Sequence, residues 1–251
     1  MSGYRFTSLA RIVRARRRVA ASGGGGGAPA GIRRRMVPRP PGPVPSQAMT
    51  GRYENHSAIQ QAIVMRGRVE GPLVKVDDFL NHRVEPVLMA GIGADLARLL
   101  EPAGPTLVLT AEASGIAPAL AAATVLGVDM VYAKKYPRHG ATRPAFVREV
   151  ESPTKDAEYR VEVAHRVLPR DQRVAIVDDF LSRGRTAEAL GEIVEEADSV
   201  VAGFGFVIEK AFMEGRDRLE AHGWPVAALV SIASLDQGLE LASGGPETAN
   251  R

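Results

Sequence analysis

The chain has 251 residues, 45% of them hydrophobic and 24% charged, enough apolar material for one α/β domain with an appendage. It contains no cysteine, which excludes disulfides, thiolate metal sites and a cysteine nucleophile; no apolar run approaches a membrane span. The net charge of +3 hides an asymmetry: residues 1–48 hold ten arginines and no acid, and removing those ten from the 32 basic residues leaves 22 against 29 acidic ones, a net charge of −7. A nucleic-acid function would therefore rest on the N-terminal segment alone.

That segment is rich in Arg, Gly and Pro, with a five-glycine run at 23–27 and PRPPGPVP at 38–45. It cannot bury enough apolar surface to fold and is expected to be a disordered extension. Three origins compete: an Arg-rich, acid-free transit peptide, a binding arm for nucleic acid or membrane, or upstream sequence preceding a true start at Met49.

From Ser57 the pattern changes. Ser57 is placed to cap an amphipathic helix over 58–68, with Ile59, Ala62, Ile63 and Arg66 in helical spacing, and Gly71-Pro72 ends it. VKVDDFLNH follows at 74–82, then a helix near 85–100. TLVLT at 106–110 is a predicted buried strand, followed by a loop and an Ala-rich helix ending at Gly127. MVYAKK at 130–135 is the next strand. Residues 136–158 form a long connection, expected to act as a lid or to be disordered. FVREV within it and YRVEVAH after it suit the two arms of a hairpin. After the strand and helix of the next segment come a buried strand over 199–212, a short helix in GRDRLEAHG and a last strand in VAALVSIASL. Alternating strands and helices predict a mainly parallel sheet flanked by helices. Residues 241–251 read as a loose tail, so the domain is placed at 49–240.

The most informative segment is VAIVDDFLSRGRTA, 174–187. Val174 to Val177 make the apolar run of a strand covered on both faces. Asp178 and Asp179 follow at its C-terminal edge, where open α/β sheets bind ligands. Ser182, Gly184 and Thr186 free backbone amides to point at an anion, and the next helix adds its positive end. Phosphate on the loop and sugar hydroxyls on the carboxylates describe a phosphorylated ribose.

This unit resembles the phosphoribosyl-diphosphate motif of type I phosphoribosyltransferases. VKVDDFLNH, EASGIAPA, YAKK, VDDFLSRGRTA and VIEKAF also occur here in the order and approximate spacing of the bacterial xanthine phosphoribosyltransferases, over 74–235. The resemblance implies an α/β fold of type I phosphoribosyltransferases, a mainly parallel sheet with a small N-terminal hood. It implies transfer of 5-phosphoribosyl from 5-phospho-α-D-ribose 1-diphosphate to xanthine, with Mg²⁺ accompanying the diphosphate, in a cytoplasmic homodimer that needs neither nucleic acid nor membrane. Members of that family begin shortly before the first helix, which favours the start at Met49. The loop here reads Ser-Arg-Gly-Arg-Thr where Ala-Asn-Gly-Gln-Ala is common, and Val74 stands where Leu is usual.

Carried onto these positions, the resemblance puts the 5′-phosphate on Ser182, Arg183, Gly184, Arg185 and Thr186. Arg183 and Arg185 could equally be exposed, solubilising arginines. Asp178 and Asp179 are the catalytic candidates, holding ribose hydroxyls directly or through magnesium and stabilising the positive charge that develops on the ribose. Ser114 and Gly115 let amides approach the diphosphate, and Lys134 and Lys135 meet it. Val74, Asn81 and Lys210 serve the base: Lys210 aimed at the purine O6, Asn81 at the 2-oxo group. No side-chain metal site is expected, since the five histidines show no metal spacing. The glycine pairs at 91–93 and 203–205 lack dinucleotide context. Alternatives are a guanine or hypoxanthine enzyme of the same class, or a non-catalytic regulator on the same fold.

Overall fold

The computed structural model describes residues 57–137, 144–151 and 158–242, all within the unit Val44–Arg251. The expectations for the 1–48 extension and for most of the C-terminal tail, and those for 138–143 and 152–157 of the long connection, lie outside the described residues.

The first helix, α1, runs Ser57–Arg66. It stops short of the expected Arg68 because Gly67 closes it: a Cβ there would stand 2.4 Å from the Ile63 carbonyl oxygen. Arg68 instead begins β1 (Arg68–Glu70), which pairs antiparallel with β2 (Leu73–Lys75) around Gly71-Pro72. A single π-helical turn, Asp77–Asn81, then leads to α2 (Pro86–Leu100).

The remaining elements are β3 (Leu107–Ala111), α3 (Ile116–Leu126), β4 (Asp129–Pro137), β5 (Ala145–Glu151), β6 (Glu158–Ala164), β7 (Arg173–Leu181), α4 (Arg185–Glu196), β8 (Val200–Lys210), α5 (Gly215–Glu220), β9 (Val226–Ser234) and β10 (Glu240–Leu241). One sheet takes eight of these strands in the order β10-β9-β8-β7-β3-β4-β6-β5. Its centre, from β9 to β4, is parallel. The expected hairpin is present: β5 and β6 pair antiparallel from Ala145↔Ala164 to Glu151↔Glu158, and β6 joins the edge of β4. At the other edge β10 pairs with β9, and the Ala242 amide donates to the Ser231 carbonyl. The chain leaves β3 toward β4 on one side and returns to β7 on the other. The crevice beyond the C-terminal ends of β3 and β7 is thus the place where such sheets bind ligands.

Both sheet faces are covered, which explains why β7 reads as continuous apolar sequence rather than alternation. Val174 and Ile176 point into a core with Leu190, Ile193, Val194 and Trp224, on the α4 side. Ala175 and Val177 point into a second core with Ile59, Ile63, Phe79, Ile92 and Leu96, on the side of α1, α2 and α3. One glycine of each pair, Gly93 and Gly205, borders this second layer. A Cβ on Gly93 would stand 2.5 Å from that of Ala121 in α3, and one on Gly205 would stand 3.0 Å from Leu100 Cδ1. They let α2 lie close to α3 and to β8, a packing reason that needs no nucleotide. Among the described residues no helix is long and apolar enough to cross a membrane.

Candidate functional site

The loop between β7 and α4 is the candidate anion cradle. Gly184 sits at φ 74° as the residue before α4, a left-handed conformation that a side chain would strain. The first amides of α4 have no partner within the helix and face the loop. A cavity of about 190 Å³ lies against Ser182, Gly184, Arg185 and Thr186, and Asp178 also lines it. The loop is braced from behind by α5. Arg218 donates from Nε to the Arg183 carbonyl at 3.0 Å and from Nη1 to Glu188 at 2.9 Å. Gly215 packs so tightly there that a Cβ would stand 2.2 Å from the Ser182 carbonyl oxygen. Arg183 itself is exposed, with Glu214 at 4.0 Å, whereas Arg185 is partly buried against the cavity.

Successive residues of a strand start toward opposite faces, yet both carboxylates meet the β3–α3 turn: Asp178 Oδ1 lies against Gly115, and Asp179 Oδ1 against Ser114. Asp178 faces the cavity. Burial, then the charge of Asp179, pushes its pKa well above the ordinary carboxylate value, while the Asp179 amide and Lys135 oppose the shift. Asp179 is buried. It accepts from Asn81 Nδ2 at 3.0 Å and from Ser114 Oγ at 2.9 Å. Its own amide donates to Asp178 Oδ1 at 2.9 Å.

Ser114 and Gly115 occupy the turn between β3 and α3, which includes a cis peptide bond at Glu112-Ala113. A Cβ on Gly115 would stand 2.2 Å from Thr110 Oγ1 and 2.4 Å from Asp178 Oδ1. Only glycine leaves room there for the Asp178 carboxyl. Glu112 fixes the neighbouring strand by accepting from the Lys135 amide at 2.8 Å. The two lysines part company: Lys135 Nζ lies 5.5 Å from the Tyr159 ring centre and acts electrostatically on Asp178. Lys134, in register with Glu162, lies along a separate groove of about 730 Å³ with Tyr132, Tyr136 and His165.

The base-side candidates come from the hood and from the end of β8. Val74 is buried in β2, and Asn81 ends the π-helical turn. Lys210 is buried at the end of β8 and donates to the Pro72 carbonyl at 2.8 Å, so it ties the hood turn to the sheet. Burial lowers its pKa. An ammonium carries three donors, which leaves Lys210 with capacity beyond that bond. Beside it, Glu209 is 3% exposed and is held by Arg216 through two bonds of 2.8 and 2.6 Å and by Ser231 Oγ at 3.0 Å.

Several of these contributors carry no local signal in sequence. Gly215 and Arg218 brace the loop from a short helix 30 residues away, and Arg216 is one of many arginines. Tyr159 lines the cavity at the β7–α4 loop from β6, its hydroxyl 2.7 Å from Thr186 Oγ1. Thr110 Oγ1, fully buried near the end of β3, has no hydrogen-bond partner among the described residues. Among the described residues, no group of three or more His, Asp or Glu is placed to hold a metal. The oxygen donors of the Asp pair do suit an ion that brings most of its ligands from a phosphorylated substrate and water.

No family model matches the chain. Individual proteins do. It is 44% identical over 190 residues to a xanthine phosphoribosyltransferase of Chloroflexus aurantiacus, covering 76% of this chain and 88% of that one. It is 42% identical over 180 residues to the enzyme of that name from Pseudomonas syringae, covering 72% and 93%. The Lactobacillus delbrueckii protein is 44% identical over 168 residues, covering 67% and 89%. In fold it is similar to an adenine phosphoribosyltransferase from Rhodothermus marinus, with a TM-score of 0.58 at 24% identity over 70% of this chain and 98% of that one. A second, from Thermoanaerobacter pseudethanolicus, gives 0.57 at 22% over 70% and 99%. These two likenesses establish the type I phosphoribosyltransferase fold. With 44% identity across 88% of the Chloroflexus protein, the chain belongs to the xanthine phosphoribosyltransferase family.

Proposed function

We propose that this protein transfers 5-phosphoribosyl from 5-phospho-α-D-ribose 1-diphosphate to xanthine, forming xanthosine 5′-monophosphate and releasing diphosphate. The observation that carries this reading is the Asp179 carboxylate, which holds both Asn81 of the hood and Ser114 of the β3–α3 turn. In this reading a base reader and a diphosphate turn share one acceptor at the end of β7.

In this reading the 5′-phosphate lies on residues 182–186, bound by backbone amides, the end of α4 and Arg185. The bond from ribose C1 to the diphosphate oxygen breaks as the purine nitrogen approaches, and positive charge grows on the ribose ring. Asp178, on the cavity side, faces the ribose hydroxyls and stabilises that charge more strongly in the transition state than in the ground state. Asp179 positions Asn81 and Ser114. Mg²⁺, when bound with the diphosphate, supplies neutralising charge to the leaving group. The natural place for the ion is on the Asp178 side, where it would also relieve the repulsion between the two carboxylates. Lys135 adds positive charge beside Asp178.

For the base, Lys210 donates toward O6 and Asn81 toward the 2-oxo group, through the Nδ2 hydrogen that its bond to Asp179 leaves over. Xanthine offers acceptors at both places, guanine a donor at the second, hypoxanthine nothing there. Sites built to pair with a polar group discriminate strongly against analogues lacking it. The protein is also proposed to work as a homodimer in the cytoplasm. Leu120 and Val125 on α3 are 55% and 56% exposed, apolar surface that a second copy would cover.

The test gives the purified protein the diphosphate, Mg²⁺ and one base at a time. Turnover is expected with xanthine first, guanine second, hypoxanthine weakly and adenine not at all. Hypoxanthine or adenine matching xanthine would refute the proposed base choice.

A further inference from the structure

Among the described residues lining the cavity at the β7–α4 loop, one comes from outside the strand–loop–helix unit: Tyr159. It stands at the start of β6, in register with Pro137 of β4 and Val150 of β5. Its hydroxyl is 2.7 Å from Thr186 Oγ1, in the first turn of α4. Lys135 Nζ lies 5.5 Å from its ring centre. The hairpin is held to α4 independently of this contact, because Arg148 of β5 donates to Glu192 at 2.7 Å and also pairs with Glu196. The Tyr159–Thr186 bond is therefore not needed merely to dock the hairpin.

Counting protons shows what the pair can do. Two hydroxyls carry two protons, and their mutual bond uses one. The other remains available to an oxygen in the cavity whichever of the two donates. Hydroxyls linked in this way polarise each other, and a donor whose own oxygen accepts a bond is the stronger donor to an anion. Thr186 stands where alanine is common in the loop pattern that this sequence resembles, and an alanine would leave Tyr159 without this partner.

We infer that Tyr159 is a phosphate-affinity residue of this site: paired with Thr186, it forms a two-hydroxyl donor to the phosphomonoester end of the substrate. This rests on residues 182–186 being the 5′-phosphate cradle. Tyr159 touches no reacting atom in this scheme. Its effect belongs in the affinity for the phosphoribosyl group and not in the affinity for xanthine.

The experiment compares the unmutated protein with Tyr159→Phe, Thr186→Ala and the double variant. Calorimetry measures binding of ribose 5-phosphate and, separately, inorganic diphosphate; steady-state kinetics gives KM for both substrates. Tyr159→Phe keeps the ring against Lys135 and removes only the hydroxyl. It should weaken ribose 5-phosphate binding about three- to tenfold, the value of one modest hydrogen bond. KM for the phosphoribosyl substrate should rise in parallel, while inorganic diphosphate binding and KM for xanthine stay constant. The double variant should lose little more than the weaker single, since the two hydroxyls act as one donor. Tyr159→Phe binding ribose 5-phosphate as tightly as the unmutated protein overturns the inference; if Thr186→Ala alone loosens it, the cradle reading survives. Equal loss for ribose 5-phosphate and inorganic diphosphate also overturns it, because Tyr159 would then act only through the hairpin. Failure of the unmutated protein to bind ribose 5-phosphate would overturn inference and cradle together.

Discussion

Asn81 and Asp179 lie 98 residues apart in the chain, yet Asn81 Nδ2 donates to Asp179 Oδ2 at 3.0 Å. One belongs to the last π-helical position of the hood, the other to the end of the central strand β7. The bond fixes which way the Asn81 amide is turned, with its nitrogen toward the carboxylate.

Replacing Asp179 by Asn puts an amide where Asn81 and Ser114 both need an acceptor. About 1.5–3 kcal/mol of kcat/KM is expected to be lost, the value of hydrogen bonds to a charged group. KM for xanthine and for the phosphoribosyl substrate should both rise, since both partners lose their anchor. Asn81→Ala should leave the second KM unchanged and narrow the preference for xanthine over hypoxanthine. Steady-state kinetics with each base decides this; an Asp179→Asn enzyme with unaltered KM values removes Asp179 from the positioning role.

Asp178→Asn should trade activity for stability. Turnover is expected to fall by about 2–4 kcal/mol in barrier, as for other lost electrostatic stabilisers. The folded protein binds the Asp178 proton more tightly than the unfolded chain, because burial and then Asp179 raise its pKa. Its stabilising contribution is thus present at low pH and declines as pH rises from the ordinary carboxylate range through the raised value. Asparagine removes that decline and keeps an oxygen for the Asp179 amide. Melting curves without Mg²⁺ or diphosphate should show the variant gaining on the unmutated protein as pH increases. A difference constant with pH would contradict this.

Gly115→Ala tests the space around the same carboxyl. The added methyl would meet Thr110 Oγ1 and Asp178 Oδ1 far inside van der Waals distance. Thr110 is fully buried, so Asp178 has to give way. Turnover should drop at least tenfold, with a stability loss of about 1–3 kcal/mol from overpacking. A fully active Gly115→Ala enzyme would show that Asp178 need not keep this position.

Arg216→Ala leaves the buried Glu209 carboxylate without its cation. Breaking a buried pair in this way costs about 3–5 kcal/mol, and urea unfolding should show it. Changing both members to apolar residues, Glu209→Leu with Arg216→Met, should cost far less. Equal losses in both proteins would mean that Arg216 contributes through packing alone.

The parallel core was legible because β3, β7, β8 and β9 are short apolar runs bounded by turns, each buried on both faces. The hairpin was legible as two short β-rich segments, FVREV and YRVEVAH, on either side of a polar stretch. The hood was not: in VKVDDFLNH a strand end and a π-helical turn follow each other within nine residues, too few for either period to declare itself. In the site, the strand–DD–loop–helix unit could be read because its chemistry is contiguous. The different partners of Asp178 and Asp179 needed the fold, since Asn81 and Ser114 reach Asp179 from distant segments. The pleat of β4 sends Lys134 and Lys135 to opposite faces. Tyr159, Arg216 and Arg218 escaped notice because each meets its partner only through the fold.

Asp179 is a single acceptor shared by the hood and the β3–α3 turn. A ligand that draws Asn81 toward itself alters the carboxylate on which Ser114 depends, and the reverse holds equally. Under the proposed roles of Asn81 and Ser114, occupancy of one half of the crevice is expected to change the free energy of filling the other, by the same amount in both directions. On the proposed site, the first substrate to bind would then set the terms on which the second is received.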